Sequence, residues 1–207
     1  MPLPVLSLAS ATAALRRGEV VAYPTETFYG LAVLPSDMAA LTRLVRLKGR
    51  DTDKPVSLIL GKAEVVSSFA ISLTPATVRL ISLAWPGPLT VVLPAKDSVA
   101  RVITGGTGTV AVRVPSHPGA RMLADSAGGA ITATSANRQN MPPARTAEEV
   151  EAQFPQGLAG VFEGERAPGD LPSTLVRPVG ATLLVLRRGA VDLPTLREWW
   201  SGEIVDA

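Results

Sequence analysis

Residues 109–137, TVAVRVPSHPGARMLADSAGGAITATSAN, constrain the fold more than any other stretch. From Thr109 to Pro115, Val110, Val112 and Val114 fall on one side of an extended strand and Ala111 and Arg113 on the other. A short helix follows, then the apolar run AITAT, which stops at Ser135-Ala136-Asn137. Strand, helix and strand in this order specify an α/β chain whose valine face meets a core. Ligands of open α/β sheets bind beyond the carboxyl ends of the strands. The end of this unit is therefore a candidate site, with Ser135 and Asn137 either ligand contacts or simply a turn. Arg113, opposite three valines, is either a solvent-facing charge or a buried anion clamp.

The remaining elements mix strands and helices without a strict βαβ rhythm. Strands are expected at Val5–Leu8, Glu19–Tyr23, Val56–Leu60, Leu89–Leu93, Val99–Ile103, Ser173–Val176 and Thr182–Leu186. Helices are expected after Ser10, from Ser36 to Leu47, over 62–70, from Thr74-Pro75 to Trp85, around Thr146 to Phe154, and at the end of the chain. Met38, Leu41, Leu44 and Val45 form the apolar stripe of the second helix. The pattern specifies an α/β fold with a twisted, mixed parallel/antiparallel sheet and helices packed on it. With no repeat, low-complexity run or linker, one domain over 1–207 is the simplest expectation.

Composition limits the chemistry. The chain has no cysteine and one histidine, His117, so thiol nucleophiles and cysteine zinc sites are excluded and a multi-histidine metal site would need other groups standing in. Lys, Arg, Ser, Thr, Asn, Tyr and carboxylates remain, a set suited to electrostatic handling of a charged substrate. Sixteen of the 20 cationic residues are Arg, which binds phosphate and carboxylate in a bidentate manner. The net charge of +2 argues only weakly for nucleic acid. No apolar run has the length of a membrane span, so a cytoplasmic protein with no membrane contact is expected.

Two nucleotide signatures fail. Gly61-Lys62 lacks the preceding glycine of a Walker loop, and Gly106-Thr107-Gly108 leads into a strand rather than a helix. Other polar groups sit at element ends. Lys48 and Arg50 flank Gly49 at a helix terminus, where they either complement the helix dipole or converge on a ligand. Thr25, Glu26, Thr27 and Tyr29 follow an apolar strand, as a capped turn or as the rim of a site.

Six segments then match a known family in order. They are Pro24-Thr25-Glu26-Thr27-Phe28-Tyr29-Gly30-Leu31, Lys48-Gly49-Arg50, Trp85-Pro86-Gly87-Pro88-Leu89-Thr90, Val112-Arg113-Val114-Pro115, Ser135-Ala136-Asn137 and Pro172-Ser173-Thr174-Leu175. Over about residues 8–190 the chain resembles the YrdC family, the L-threonylcarbamoyladenylate synthases, in their short, single-domain form. The resemblance implies synthesis of threonylcarbamoyl-AMP and pyrophosphate from L-threonine, bicarbonate and ATP. A separate threonylcarbamoyl transferase complex would consume the product in modifying tRNA, with tRNA contact a further expectation.

By position, the resemblance implies that Thr25, Thr27, Tyr29, Arg113 and Ser173 bind L-threonine. Lys48, Arg50, Thr109, Ser135, Asn137 and Arg187 would hold ATP, with Lys48 and Arg50 stabilising charge in the reaction. Mg²⁺ would arrive with ATP, its protein ligands unassigned. Longer relatives carry a histidine nine residues after the Arg of Lys-x-Arg, where this chain has Ile59, and Pro143 stands where they have an ATP-contacting serine. Two other readings of the same residues are a non-catalytic factor binding tRNA or double-stranded RNA, and a paralogue acting on another carbamoyl compound.

Overall fold

The computed structural model describes residues 2–49, 53–162 and 166–207. Val5–Leu6 (β1) leads into Leu8–Arg16 (α1). Ser7, not Ser10, caps this helix, its hydroxyl accepting from the Ser10 N–H at 3.2 Å. Val21–Tyr23 (β2) and Gly30–Ala32 (β3) flank the Pro-Thr-Glu-Thr loop. Met38–Lys48 (α2) is capped by Asp37, whose Oδ1 accepts from Ala40 N–H at 2.9 Å. Ser36 thus lies one residue outside the cap, and Met38 is exposed in the first turn instead of joining the buried stripe of Leu41, Leu44 and Val45.

After Leu58–Leu60 (β4) a 3₁₀ turn at Ala63–Val65 runs into Val66–Phe69 (α3). Thr74 caps Pro75–Ala84 (α4), the cap-then-proline start expected from the sequence. Leu89–Pro94 (β5) is followed by Arg101–Thr104 (α5), where a strand was expected. The apolar run there is short and is closed by Gly105 and Gly106, both at positive φ, so it turns once and buries Ile103 rather than extending. Thr109–Arg113 (β6), Pro118–Ser126 (α6), Ala130–Thr132 (β7) and Thr134–Ser135 (β8) complete the central unit. The chain ends with Ala147–Gln153 (α7), Gly160–Phe162 (β9), Thr174–Val179 (β10), Thr182–Arg187 (β11), Leu193–Trp199 (α8) and Glu203–Asp206 (β12).

The architecture is mixed α/β, but the strands divide between two sheets. One has the order β1-β9-β2-β3-β8 and the other β12-β11-β10-β5-β6-β4-β7. β7 and β8 are separated by Ala133 alone, so the chain passes there from the edge of one sheet to the edge of the other. Alternate residues of β2 and β3 feed two apolar clusters. Ala22 and Leu31 join the larger one, which holds the β5, β6 and α4 residues. Val21, Tyr23 and Ala32 join a smaller one with Leu15, Ile59, Leu123 and Phe162. Burying both faces of such short strands supplies the apolar area that holds them in register. Among the described residues no helix is long and apolar enough to cross a membrane.

Candidate active site

The β6 alternation places its arginine as the sequence requires. Val110 and Val112 are fully buried in the larger core, while Ala111 and Arg113 face cavities on the opposite side. A cavity of about 420 Å³ lies between the two sheets. The 25–30 loop and Thr134-Ser135 wall it from one sheet, and Thr90, Arg113 and Arg187 from the other. Seven predicted residues meet there: Thr25, Thr27, Tyr29, Arg113, Ser135, Ser173 and Arg187. An adjoining cavity of about 450 Å³ shares Ser135 and Arg187 and adds Thr109.

Two guanidiniums dominate the electrostatics. Arg113, only 6% exposed, donates from Nη1 to Glu26 Oε1 at 2.9 Å and more distantly to Thr27 Oγ1 at 3.5 Å. Arg187 donates from Nη2 to Ser173 O at 2.8 Å and to Ser173 Oγ at 3.1 Å. Burial, and then the positive charge of Arg113, push the Arg187 guanidinium below its ordinary pKa. The two cations thus feel each other, and Glu26 is the one carboxylate paired with either of them among the described residues. A surplus of buried positive charge favours an anionic ligand.

The hydroxyls are ordered by the backbone. Thr25 Oγ1 donates to Phe28 O at 2.7 Å and accepts from Thr27 N–H at 3.1 Å, so the 2.9 Å Thr25–Thr27 contact is donated by Thr27. Tyr23 is fully buried; burial raises its pKa, and its phenol donates to Thr132 O at 2.8 Å. Gly30 permits this packing, because a Cβ there would lie 2.7 Å from the Tyr23 ring. On the other wall Thr90 Oγ1 and Ser173 Oγ are 2.8 Å apart. Ile59 is fully buried and contributes an apolar patch of wall, and Pro143 lines the cavity as well.

Lys48 and Asn137 stand behind the wall rather than on it. Lys48, a residue only 7% exposed, donates from its ammonium to Ser135 O and to Asn137 O, the latter at 2.9 Å. Asn137 accepts from the Ser135 hydroxyl and donates to Met141 O at 2.7 Å and Arg138 O at 3.0 Å. Together they fix the loop that carries Ser135 to the cavity. Arg50 lies outside the described residues. His117 is accounted for structurally: it caps α6, with Nδ1 accepting from Ala120 N–H at 3.2 Å.

Two residues escaped assignment from sequence. Glu26 was read with its loop but not as the partner of Arg113, 87 positions away. Thr90 belonged to a matched segment without a role; its signal was being the lone hydroxyl in the apolar run Leu89–Leu93.

A family model described as Sua5_yciO_yrdC, telomere recombination, matches residues 13–189. A threonylcarbamoyl-AMP synthase of Thiobacillus denitrificans is 43% identical over 162 residues, 78% of this chain and 86% of that protein. One of Vibrio parahaemolyticus is 36% identical over 178 residues, 85% and 95% of the two chains. Among solved structures, P. abyssi Sua5 complexed with L-threonine superposes with a TM-score of 0.91 at 30% identity over 98% of this chain. This chain spans 62% of the length of that Sua5.

Proposed function

Since the chain belongs to the Sua5_yciO_yrdC family, we propose that its inter-sheet cavity makes threonylcarbamoyl-AMP and pyrophosphate from L-threonine, bicarbonate and ATP. The observation that carries this reading is the convergence of Arg113 and Arg187 on one cavity, with Glu26, on Arg113, the one carboxylate paired with either among the described residues. The reading is supported by relatives named threonylcarbamoyl-AMP synthase and by a structural neighbour complexed with L-threonine.

In this account Arg113 holds the threonine carboxylate, with Thr25, Thr27 and Ser173 around the amino acid and Tyr29 in the wall. The nucleotide lies along the adjoining cavity, across Thr109, Ser135 and Arg187. Lys48 and Asn137 support it through the Ser135 loop, and Arg50 is assigned with them from its sequence position. The threonine ammonium first releases a proton to solvent, and the neutral amine nitrogen then bonds to the carbon of bicarbonate with loss of water, to give a carbamate. A carbamate oxygen then attacks the α-phosphorus of ATP, and the bond to pyrophosphate breaks. No protein nucleophile takes part; the protein positions two anions and offsets their charge.

Magnesium fits this donor set as an ion carried by the nucleotide. No group of three or more His, Cys, Asp or Glu among the described residues could hold a metal. Phosphate oxygens and water meet the octahedral preference of Mg²⁺ with few protein ligands. Its chemistry, when bound, is to neutralise charge on the phosphoryl oxygens. The proposal extends to a separate transferase complex that passes the threonylcarbamoyl group to tRNA.

The test is pyrophosphate release from ATP by purified protein. Release is expected only when L-threonine and bicarbonate are both present, and equal release without threonine would overturn the reading.

A further inference from the structure

Hydrogen-bond accounting separates the hydroxyls near Arg113 into two kinds. Thr25 spends its proton on Phe28 O and Thr27 spends its own on Thr25, so this pair offers the cavity lone pairs but no donor. The Ser135 proton goes to Asn137 Oδ1 and that of Tyr23 to Thr132 O. Thr90 and Ser173 differ. Their oxygens are 2.8 Å apart, which uses one of their two protons. Ser173 Oγ also accepts from Arg187 Nη2 at 3.1 Å, a bond that consumes a lone pair and no hydroxyl proton. One O–H of the pair is therefore unspent. Both residues line the cavity, at 4% and 8% exposure, so that proton is shielded from bulk water.

The sheet places this pair beside the carboxylate clamp. β5 and β6 are antiparallel with Val92 facing Ala111, and Thr90 and Arg113, each two residues further along its strand, line the same cavity. Side chains two apart on a strand share one side of the sheet, so both project from the side that Val92 and Ala111 share. A β-hydroxy α-amino acid carries its carboxylate and its hydroxyl on adjacent carbons. With the carboxylate on Arg113, the β-hydroxyl meets a neighbouring pair that both donates and accepts.

We propose that the Thr90–Ser173 pair reads the β-hydroxyl of the amino acid, with Thr90 the specificity-determining residue that the sequence left unassigned. The proposal rests on the function given above. Its physical basis is an asymmetry: an apolar pocket scarcely distinguishes a hydroxyl from a methyl, whereas a pocket built to hydrogen-bond a hydroxyl rejects the analogue that leaves its own polar groups unpaired. With Ile59 on the cavity wall, the discrimination falls to hydroxyl side chains such as these.

L-Valine, which replaces the hydroxyl by a methyl, is the probe. In Thr90→Val, kcat/KM for L-threonine should fall about 10- to 100-fold while that for L-valine and the KM for ATP stay unchanged. Thr90→Ser, which keeps the hydroxyl, should restore the threonine-to-valine ratio. Ser173→Ala should lower the same ratio, which keeps the test open if Thr90→Val does not fold. Calorimetric titration of both amino acids reads the discrimination without turnover. A wild-type protein that binds threonine over valine yet makes no pyrophosphate would sink the proposed function and leave this assignment standing. A threonine-dependent synthase whose Thr90→Val form keeps the wild-type ratio, or whose Thr90→Ser form loses it equally, would overturn the assignment alone.

Discussion

Arg113 is held in place by Glu26, a partner 87 positions away, in a pair whose side chains are 8% and 15% exposed. A pair this buried adds little net stability, but removing one member strands the other charge in a poor solvent. Glu26→Ala should therefore destabilise the fold by about 3–5 kcal/mol, and Glu26→Gln, which keeps an acceptor for Nη1, by clearly less. Urea unfolding measures both; equal losses would show that charge pairing is not what fixes the arginine. The guanidinium itself should matter to one substrate. Arg113→Lys loses the planar fork and should raise the KM for threonine about 10- to 100-fold with little change for ATP, since hydrogen bonds to charged groups contribute about 1.5–3 kcal/mol. Alternation in the sequence made the direction of Arg113 legible. Its partner was not, because nothing local in Pro-Thr-Glu-Thr records which distant strand the loop lies against.

Elements were legible where they carried their own signals and illegible where only tertiary contacts define them. Thr74-Pro75 and Thr146 begin helices by their capping chemistry, and β6 shows its two faces in five residues. Strands β3 and β9 have three residues each, too few for any period to show, and they persist because each pairs with β2. In the Val99–Ile103 run the β-branched Val99, Val102 and Ile103 read as a strand, yet Arg101–Thr104 forms a turn of helix before Gly105. The α2 cap offers a test at this scale. Asp37→Ala removes the acceptor for the Ala40 N–H and should cost about 1 kcal/mol. That helix delivers Lys48 to the Ser135 loop from its far end, three turns from the cap, so the KM for threonine should not change. A threonine defect in Asp37→Ala would mean that the helix positions the amino-acid site directly.

At the scale of the molecule, the site exists because two sheets meet where the chain crosses between them at Ala133. The sequence placed polar groups at element ends and implied that they gather. It did not reveal that the strand expected over 130–134 splits, with β7 closing one sheet and β8 the other. That split sets Ser135 on one wall of the cavity while Arg113 and Thr90 occupy the opposite wall. The arrangement predicts that lesions on either wall separate by substrate. Asn137→Ala, which frees the Ser135 loop, should raise the KM for ATP more than that for threonine, the reverse of Arg113→Lys; steady-state titration of each substrate decides it. The central claim is that this cavity joins threonine, bicarbonate and ATP into one product. The most direct measurement is mass spectrometry of the product formed from carbon-13 bicarbonate, L-threonine and ATP. Threonylcarbamoyl-AMP carrying one heavy carbon, in step with pyrophosphate, is the predicted result; nucleotide cleavage that leaves the heavy carbon unincorporated would contradict it.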